Sequence, residues 1–313
     1  MARKKIALIG AGNIGGGIAA QIARREMGNV VLFDTPEREG MAKGKALDIM
    51  QRGGIHGYDC NMVGTAKWED CRGANVLIIT AGVPRKPGQS RDDLIGANLP
   101  IIRTVAKMAK EHCPEAGAIV ISNPLDVMVH EFKKVTGWTR DRVIGMAGIL
   151  DTARFAYFIA EAAGVSVKDV RTIVLGGHGD QMVPLTSYTT ISGIPVDKFL
   201  SAEKLAAIIK RTADGGGEIV KLMGTSAWFS PAAAAIQMLE AILLDSKRIL
   251  PCSVELEKEY GGGYKGLFLG VPCVLGKNGL EKVLELPLSP AEKELLDKSA
   301  KAVRDVVEIA NKL

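Results

Sequence analysis

One stretch near the start constrains the chain more than any other. Residues 4–34 read KKIALIGAGNIGGGIAAQIARREMGNVVLFD. Residues 6–9 form an apolar run with strand propensity, and a second run at 30–33 ends in Asp34. Between them lie the turn Gly10, Ala11, Gly12, Asn13, Ile14, Gly15 and an amphipathic helical stretch with Ile18, Ile22 and Ala23 on one side. Gly10 permits a tight turn, Gly12 lets backbone approach a pyrophosphate, and Gly15 lets the helix pack close to the strand. The helix N-terminus offers free N–H groups and a positive dipole end to phosphates. Asp34, 19 residues past Gly15, stands where a carboxylate accepts from ribose hydroxyls. A glycine turn by itself serves many folds and can bind nothing. Strand, helix, second strand and terminal acid together point to dinucleotide binding.

The alternation continues. Residues 37–51 read as helix and those up to 58 as loop, with a short strand at 61–64. Residues 75–80 form a continuous apolar run, as in a parallel strand covered on both faces. Residues 81–90 hold two prolines and two glycines and form a candidate mobile loop. Ser90 with Asp93 resembles a helix-opening cap, and that helix stops before Pro114. A strand at 118–121, a helix at 126–135 and a strand at 142–145 complete a doubly wound parallel sheet with helices on both faces. Binding residues gather at the carboxyl ends of such strands.

After residue 145 the pattern is mixed α+β, which predicts a boundary there: a first domain of residues 1–145 and a second of 146–313. Helix is expected over 150–163, 201–223 and 231–245. Strands are expected at 171–175, 182–190, 194–199, 250–256 and 267–275, and Ser289-Pro290 opens a last amphipathic helix. Gly215, Gly216 and Gly217 fall inside a helix at a cost of about 1 kcal/mol each relative to alanine, which suggests close packing or a bend.

Bulk properties narrow the function. The net charge of +5 comes from basic residues spread among acidic ones, so nucleic-acid binding has little support, while anionic small substrates are favoured. Five cysteines with no Cys-x-x-Cys argue against a disulfide framework or zinc ribbon and suit a reducing compartment. No metal site is expected. No signal peptide is visible, since the first strand is expected to begin within five residues of the start, and no apolar run is long enough for a membrane span. The expectation is a cytoplasmic protein.

Four histidines are present. His112 and His130 fall in or beside predicted helices and His56 in a loop, where structural or solvent-facing roles are expected. His178 follows a strand in Gly176-Gly177-His178-Gly179. It is either a turn histidine bonded to backbone or a proton donor with a pKa near working pH. Asp151 and Arg154, three apart on a helix, are either a surface ion pair or two working groups. As working groups, the aspartate would hold a histidine tautomer and the arginine would clamp a carboxylate. Arg85 and Arg91 are either solvated charge or arginines on a lid. Asn123 is either a turn residue or a donor to substrate.

Taken together, GAGNIG at 10–15, ITAG at 79–82, VPRKPGQSRDDL at 83–94, ISNPLD at 121–126, GILDTARF at 148–155 and GGHGD at 176–180 carry a family resemblance. The chain resembles the lactate/malate dehydrogenase family along essentially its whole length, and within it the lactate-dehydrogenase-like malate dehydrogenases. The resemblance implies a Rossmann domain followed by a mixed α+β substrate domain, NAD as cofactor, and interconversion of malate and oxaloacetate. It makes His178 the acid/base and Asp151 its partner. It has Arg154 bind the carboxylate beside the reacting carbon, and Arg91 polarise the carbonyl. Asn123 would contact substrate and cofactor, Asn98, Ile121 and Ser122 the cofactor, and Ser226 would line the pocket. At the position of Arg85 lactate dehydrogenases usually carry glutamine, so Arg85 implies a second substrate carboxylate. Trp228-Phe229 stands where close relatives are expected to carry two tyrosines. The resemblance further implies a cytoplasmic homo-oligomer, dimer or tetramer, of the tricarboxylic acid cycle. The alternatives are a lactate or other 2-hydroxy-acid dehydrogenase, and a non-catalytic dinucleotide sensor.

Overall fold

A computed structural model describes residues 3–84 and 91–313, the side chains of 91–93 excepted. Strand β1 (Lys5–Ile9) leads through the glycine turn into helix α1 (Asn13–Arg24), then β2 (Asn29–Phe33), α2 (Glu39–Gln51), the single turn α3 (Gly53–His56) and β3 (Met62–Thr65). Next come β4 (Val76–Ile79), α4 (Arg91–His112), β5 (Gly117–Val120), α5 (Leu125–Thr136) and β6 (Val143–Gly145). These six strands lie in the order β3-β2-β1-β4-β5-β6, each pair parallel. The last four residues of β1 and of β2, and all of β4, are buried, as a sheet covered on both faces demands. Helix α1 packs on α2, and α4 on α5.

The second half comprises α6 (Gly148–Ala163), β7 (Val170–Arg171), β8 (Val174–Gly176), β9 (Met182–Pro184), β10 (Thr190–Ile191) and β11 (Ile194–Pro195). It continues with α7 (Ala202–Met223), α8 (Phe229–Leu243), β12 (Arg248–Glu255), β13 (Phe268–Gly276), β14 (Gly279–Val283) and α9 (Pro290–Lys312). The sheet does not break at residue 145. Strand β12 joins the edge of β6 antiparallel, with Ser253 opposite Gly145, and the order runs on through β13, β8 and β9, with β14 on β13. Among the described residues eleven strands share this sheet, while β7, β10 and β11 form a small antiparallel one. One apolar core follows the large sheet into both halves, and a smaller core lies under α6 and α7 around Phe155, Ile159 and Leu205.

The extended runs expected at 182–190 and 194–199 are shorter than their hydrophobicity suggests. Pro184 and Pro195 bring no N–H to a ladder, and 3-10 turns at Thr186–Tyr188 and Val196–Lys198 follow them. The loop expected before residue 58 contains the turn α3, and the short strand β14 was not legible as an element. Ser289 caps α9 reciprocally with Glu292, as its sequence predicts. Helix α7 runs unbroken through its three glycines. A Cβ on Gly215 would stand at ordinary contact distance, 3.5 Å, from Arg154 Cδ and one on Gly217 would meet nothing within 4 Å, so neither close packing nor a bend accounts for the glycines. Among the described residues all five thiols are free and buried, no helix is long and apolar enough to cross a membrane, and no cluster of three or more metal-ligating side chains occurs.

Candidate active site

A cavity of about 970 Å³ opens at the carboxyl ends of β1, β4, β5 and β6 and reaches the turn after β8. Such strand ends are where open α/β sheets bind ligands. Gly12, Asn13 and Ile14 form one wall, and Thr80 to Pro84, Asn98, Ile121, Ser122 and Asn123 another. Arg154, His178, Ser226 and Trp228 lie across from them.

The glycine turn is built as its sequence predicts. A Cβ on Gly15 would fall 1.9 Å from the Gly10 carbonyl oxygen, so only glycine lets α1 start this close to β1. Around Gly12 a Cβ would meet nothing within 4 Å, which leaves the turn open on the cavity side. Helix α1 has no side-chain cap and no acid in its first turn, so its positive end is uncompensated. These features fit a pyrophosphate. Gly10, Ala11, Gly15 and Asp34 shape the turn from behind instead of lining the cavity. Asp34 is 9% exposed, and its carboxylate accepts from the N–H groups of Ala11 and Thr35, each at 2.9 Å. Arg38 Nε lies 3.4 Å from the same carboxylate, so the nearest arginine is already engaged.

Asn98 is buried, and its amide is spent on backbone. It accepts from Val83 N–H at 2.7 Å and donates to the carbonyls of Val83 at 3.2 Å and Asn123 at 2.7 Å. It therefore ties the start of the 83–90 connection to the end of β5. Ser122 Oγ donates to the Ala81 carbonyl at 2.5 Å, joining the same two strand ends. Asn123 is exposed at the cavity wall. Arg85 and the cap residue Ser90 lie outside the described residues, and so does the side chain of Arg91, whose backbone opens α4.

Across the cavity, His178 joins the helical pair Asp151 and Arg154, a meeting that sequence spacing could not show. Helix α6 runs beside β8, so Asp151 meets a residue 27 positions on: its Oδ2 lies 2.8 Å from His178 Nδ1. Asp151 is 1% exposed, and its other oxygen lies 3.4 Å from Arg154 Nη1. His178 retains 16% exposure toward the cavity. Burial pushes the imidazolium toward losing its proton. The Asp151 charge and hydrogen bond, aided by Asp126 and opposed by Arg154, outweigh burial and hold the His178 pKa above the ordinary histidine value. Burial lowers the Arg154 pKa, against the pull of Asp151. Among the described residues Arg154 Nε is buried without a hydrogen-bond partner, and the residue lines the cavity.

Two contributors were not singled out from sequence. Asp126 is buried, accepts from His178 N–H at 2.9 Å and from Ser253 Oγ at 2.8 Å, and so fixes the backbone of the histidine turn. An acid in the first turn of a helix reads as a dipole partner, and nothing local reveals a strand from residue 253 beside it. Lys45 lines the cavity from α2, where a lysine reads as solvated charge. The other three histidines lie elsewhere: His112 stacks near Trp68, His130 meets Phe268 edge-on, and His56 is exposed.

A doubly wound sheet with this glycine turn, facing a His–Asp pair across one cavity, is the layout of a dinucleotide-dependent oxidoreductase. The family model of the lactate/malate dehydrogenase NAD binding domain matches residues 4–145, and that of the alpha/beta C-terminal domain matches 149–313. The chain is 61% identical over 307 residues to a malate dehydrogenase of Sorangium cellulosum, covering 98% of this chain and 97% of that one. Cryptosporidium parvum malate dehydrogenase superposes with a TM-score of 0.95 at 44% identity, covering 99% of this chain and all of that one. The lactate dehydrogenase of the same organism, solved with lactic acid and the dinucleotide, superposes at 0.96 with 42% identity, covering 100% and 99%. The chain belongs to the lactate/malate dehydrogenase family.

Proposed function

We propose that this chain is an NAD-dependent dehydrogenase interconverting (S)-malate and oxaloacetate. The observation that carries the reading is the run Arg154–Asp151–His178, whose two ends line the cavity. The chemistry that NAD supplies when bound is hydride transfer. Its binding would fall to Gly12, Asn13, Ile14, Ile121, Ser122 and Asn123 at the wall, with Gly10, Ala11, Gly15, Asp34 and Asn98 supporting them.

The residues then divide the work. His178, protonated, gives its proton to the substrate carbonyl oxygen during reduction and takes it back during oxidation. Asp151 keeps the other ring nitrogen as donor and stabilises the imidazolium. Arg154 pairs with the carboxylate beside the reacting carbon in two parallel hydrogen bonds. Arg91 stabilises charge developing on the carbonyl oxygen, Arg85 takes the second carboxylate, and Asn123 and Ser226 complete the substrate wall. Arg85 favours malate over lactate, and the intact His178, Asp151 and Arg154 set speaks against a sensor that binds without turnover.

We further propose a dinucleotide-binding domain of residues 1–145 and a substrate domain of 146–313, since the last parallel strand ends at Gly145. A homo-oligomer, dimer or tetramer, in the cytoplasm is proposed too, serving the tricarboxylic acid cycle. Light scattering after size exclusion would measure the assembly. The test of function is NADH oxidation across a panel of 2-oxo acids. Oxaloacetate should be the preferred substrate, and His178→Asn should bind NADH nearly normally while turning over about a hundredfold slower or worse. Preference for pyruvate, or a near-normal His178→Asn enzyme, would overturn it.

A further inference from the structure

Behind the glycine turn, Lys45 of α2 points back into the first strand–helix junction. Its Nζ donates to the carbonyl oxygens of Ala11 and Gly12, each at 2.8 Å. The place is built for it: a Cβ on Gly16 would stand 3.3 Å from Lys45 Cδ, so the glycine leaves a lane for the lysine stem. Arg38, Met41 and Lys45 recur at helical spacing and all line the cavity.

The peptide bonds following Ala11 and Gly12 are trans, which puts each carbonyl and the next N–H on opposite sides. Holding the Ala11 carbonyl on Lys45 fixes that peptide plane and turns the Gly12 N–H to its opposite side. The Gly12 carbonyl also accepts from Gly16 N–H at 3.0 Å, so Lys45 and the first turn of α1 together fix the plane that carries the Asn13 N–H, at the uncapped start of the helix. Two of the three ammonium donors are spent in this way, and the third is left over. Burial lowers the Lys45 pKa, Arg38 lowers it further and Asp34 raises it. Arg38 and Lys45 thus put two cations on one wall, with the Asp34 carboxylate 3.4 Å from the first.

We propose that Lys45 is a positioning residue for the dinucleotide pyrophosphate: it pins the Ala11 and Gly12 peptide planes so that the Gly12 and Asn13 N–H groups face the phosphates, and it adds positive charge behind them. This rests on the NAD reading above.

The test compares wild type with Lys45→Met, Lys45→Gln and Lys45→Arg, each first checked for a folded melting transition. Binding is titrated with NADH, with ADP-ribose, which keeps both phosphates, and with adenosine, which has none. Lys45→Met should weaken NADH and ADP-ribose about tenfold or more, as loss of charged hydrogen bonds predicts, and leave adenosine within about twofold. Lys45→Arg should recover most of the loss, and kcat at saturating NADH should stay within about threefold, since the proton chemistry is elsewhere. If Lys45→Met does not fold, Lys45→Gln, which carries two amide donors on a shorter stem but no charge, is read by the same criteria. Equal weakening of adenosine and ADP-ribose would reduce Lys45 to a general scaffold role, and unchanged NADH affinity would remove it; either overturns the proposal. A wild type that binds no NADH would instead remove the dinucleotide reading itself.

Discussion

Asp151→Asn probes the site with the least change of shape. Asp151 is 1% exposed and 2.8 Å from the His178 ring, so water cannot replace the lost charge. Charge centres roughly 4 Å apart interact by about 4 kcal/mol at an effective permittivity of about 20. At about 1.4 kcal/mol per decade, that is nearly three decades in the protonation of His178. Burial and Arg154 remain in the variant, and both oppose the imidazolium. The His178 pKa should therefore move from above the ordinary histidine value to below it. Reduction needs the protonated ring, so the alkaline inflection of kcat/KM for oxaloacetate should move to lower pH. At neutral pH the rate should fall about a hundredfold or more. NADH absorbance followed from pH 5 to 10 at constant ionic strength reads both effects. Loss of activity by one factor at every pH, with the inflection unmoved, would mean that Asp151 does not tune His178. Stability follows the same sign. A His178 pKa raised on folding contributes stability that is fully present below the unfolded value of about 6.5 and lost as pH rises through the folded value. The advantage of wild type over Asp151→Asn in urea should shrink along that window.

Three further outcomes are expected. Arg85→Gln should collapse activity on oxaloacetate and raise it on pyruvate, because an unpaired desolvated arginine costs about 2–5 kcal/mol, tens to thousands of fold in kcat/KM; a ratio that does not move would mean that Arg85 reads no carboxylate. NAD should be preferred over NADP, and Asp34→Ser should narrow the gap by removing the acid that engages Arg38, at some loss of NADH affinity because Ala11 N–H loses its acceptor; equal use of both cofactors by wild type would refute this. Helix propensity alone predicts that Gly15→Ala stabilises by about 1 kcal/mol, whereas the Gly10 carbonyl 1.9 Å from the new methyl predicts a net loss of about 1–3 kcal/mol in urea titration, with Gly12→Ala nearly neutral for folding.

What could be read from sequence divides by distance along the chain. The glycine turn, its helix and Asp34 act within one strand–helix–strand unit, so local pattern sufficed for them. The capping box at Ser289 is local as well. His178 and Asp151 are 27 residues apart, and only the packing of α6 beside β8 makes them partners. Residue chemistry left that pair undecided, and the family motifs selected it. Asp126 needed β12 beside α5, and Lys45 needed α2 folded back on the first turn, neither of which has a local signature. The strands after β8 are shorter than their hydrophobicity suggests because Pro184 and Pro195 bring no N–H to a ladder.

The antiparallel join between β6 and β12 bears on how such a protein can be cut. Gly145 is paired with Ser253, so the strand that finishes the parallel half is covered by one that arrives a hundred residues later. A fragment ending near residue 145 would leave that flank bare, with Val143 and Ile144, both fully buried in the whole chain, beside an open ladder edge. Expressed alone it should recruit a neighbour's strand and self-associate. A recombinant that borrows the cofactor half from a relative would stay monodisperse only if residues 248–255 and the contacts of Ser253 with Asp126 came with it.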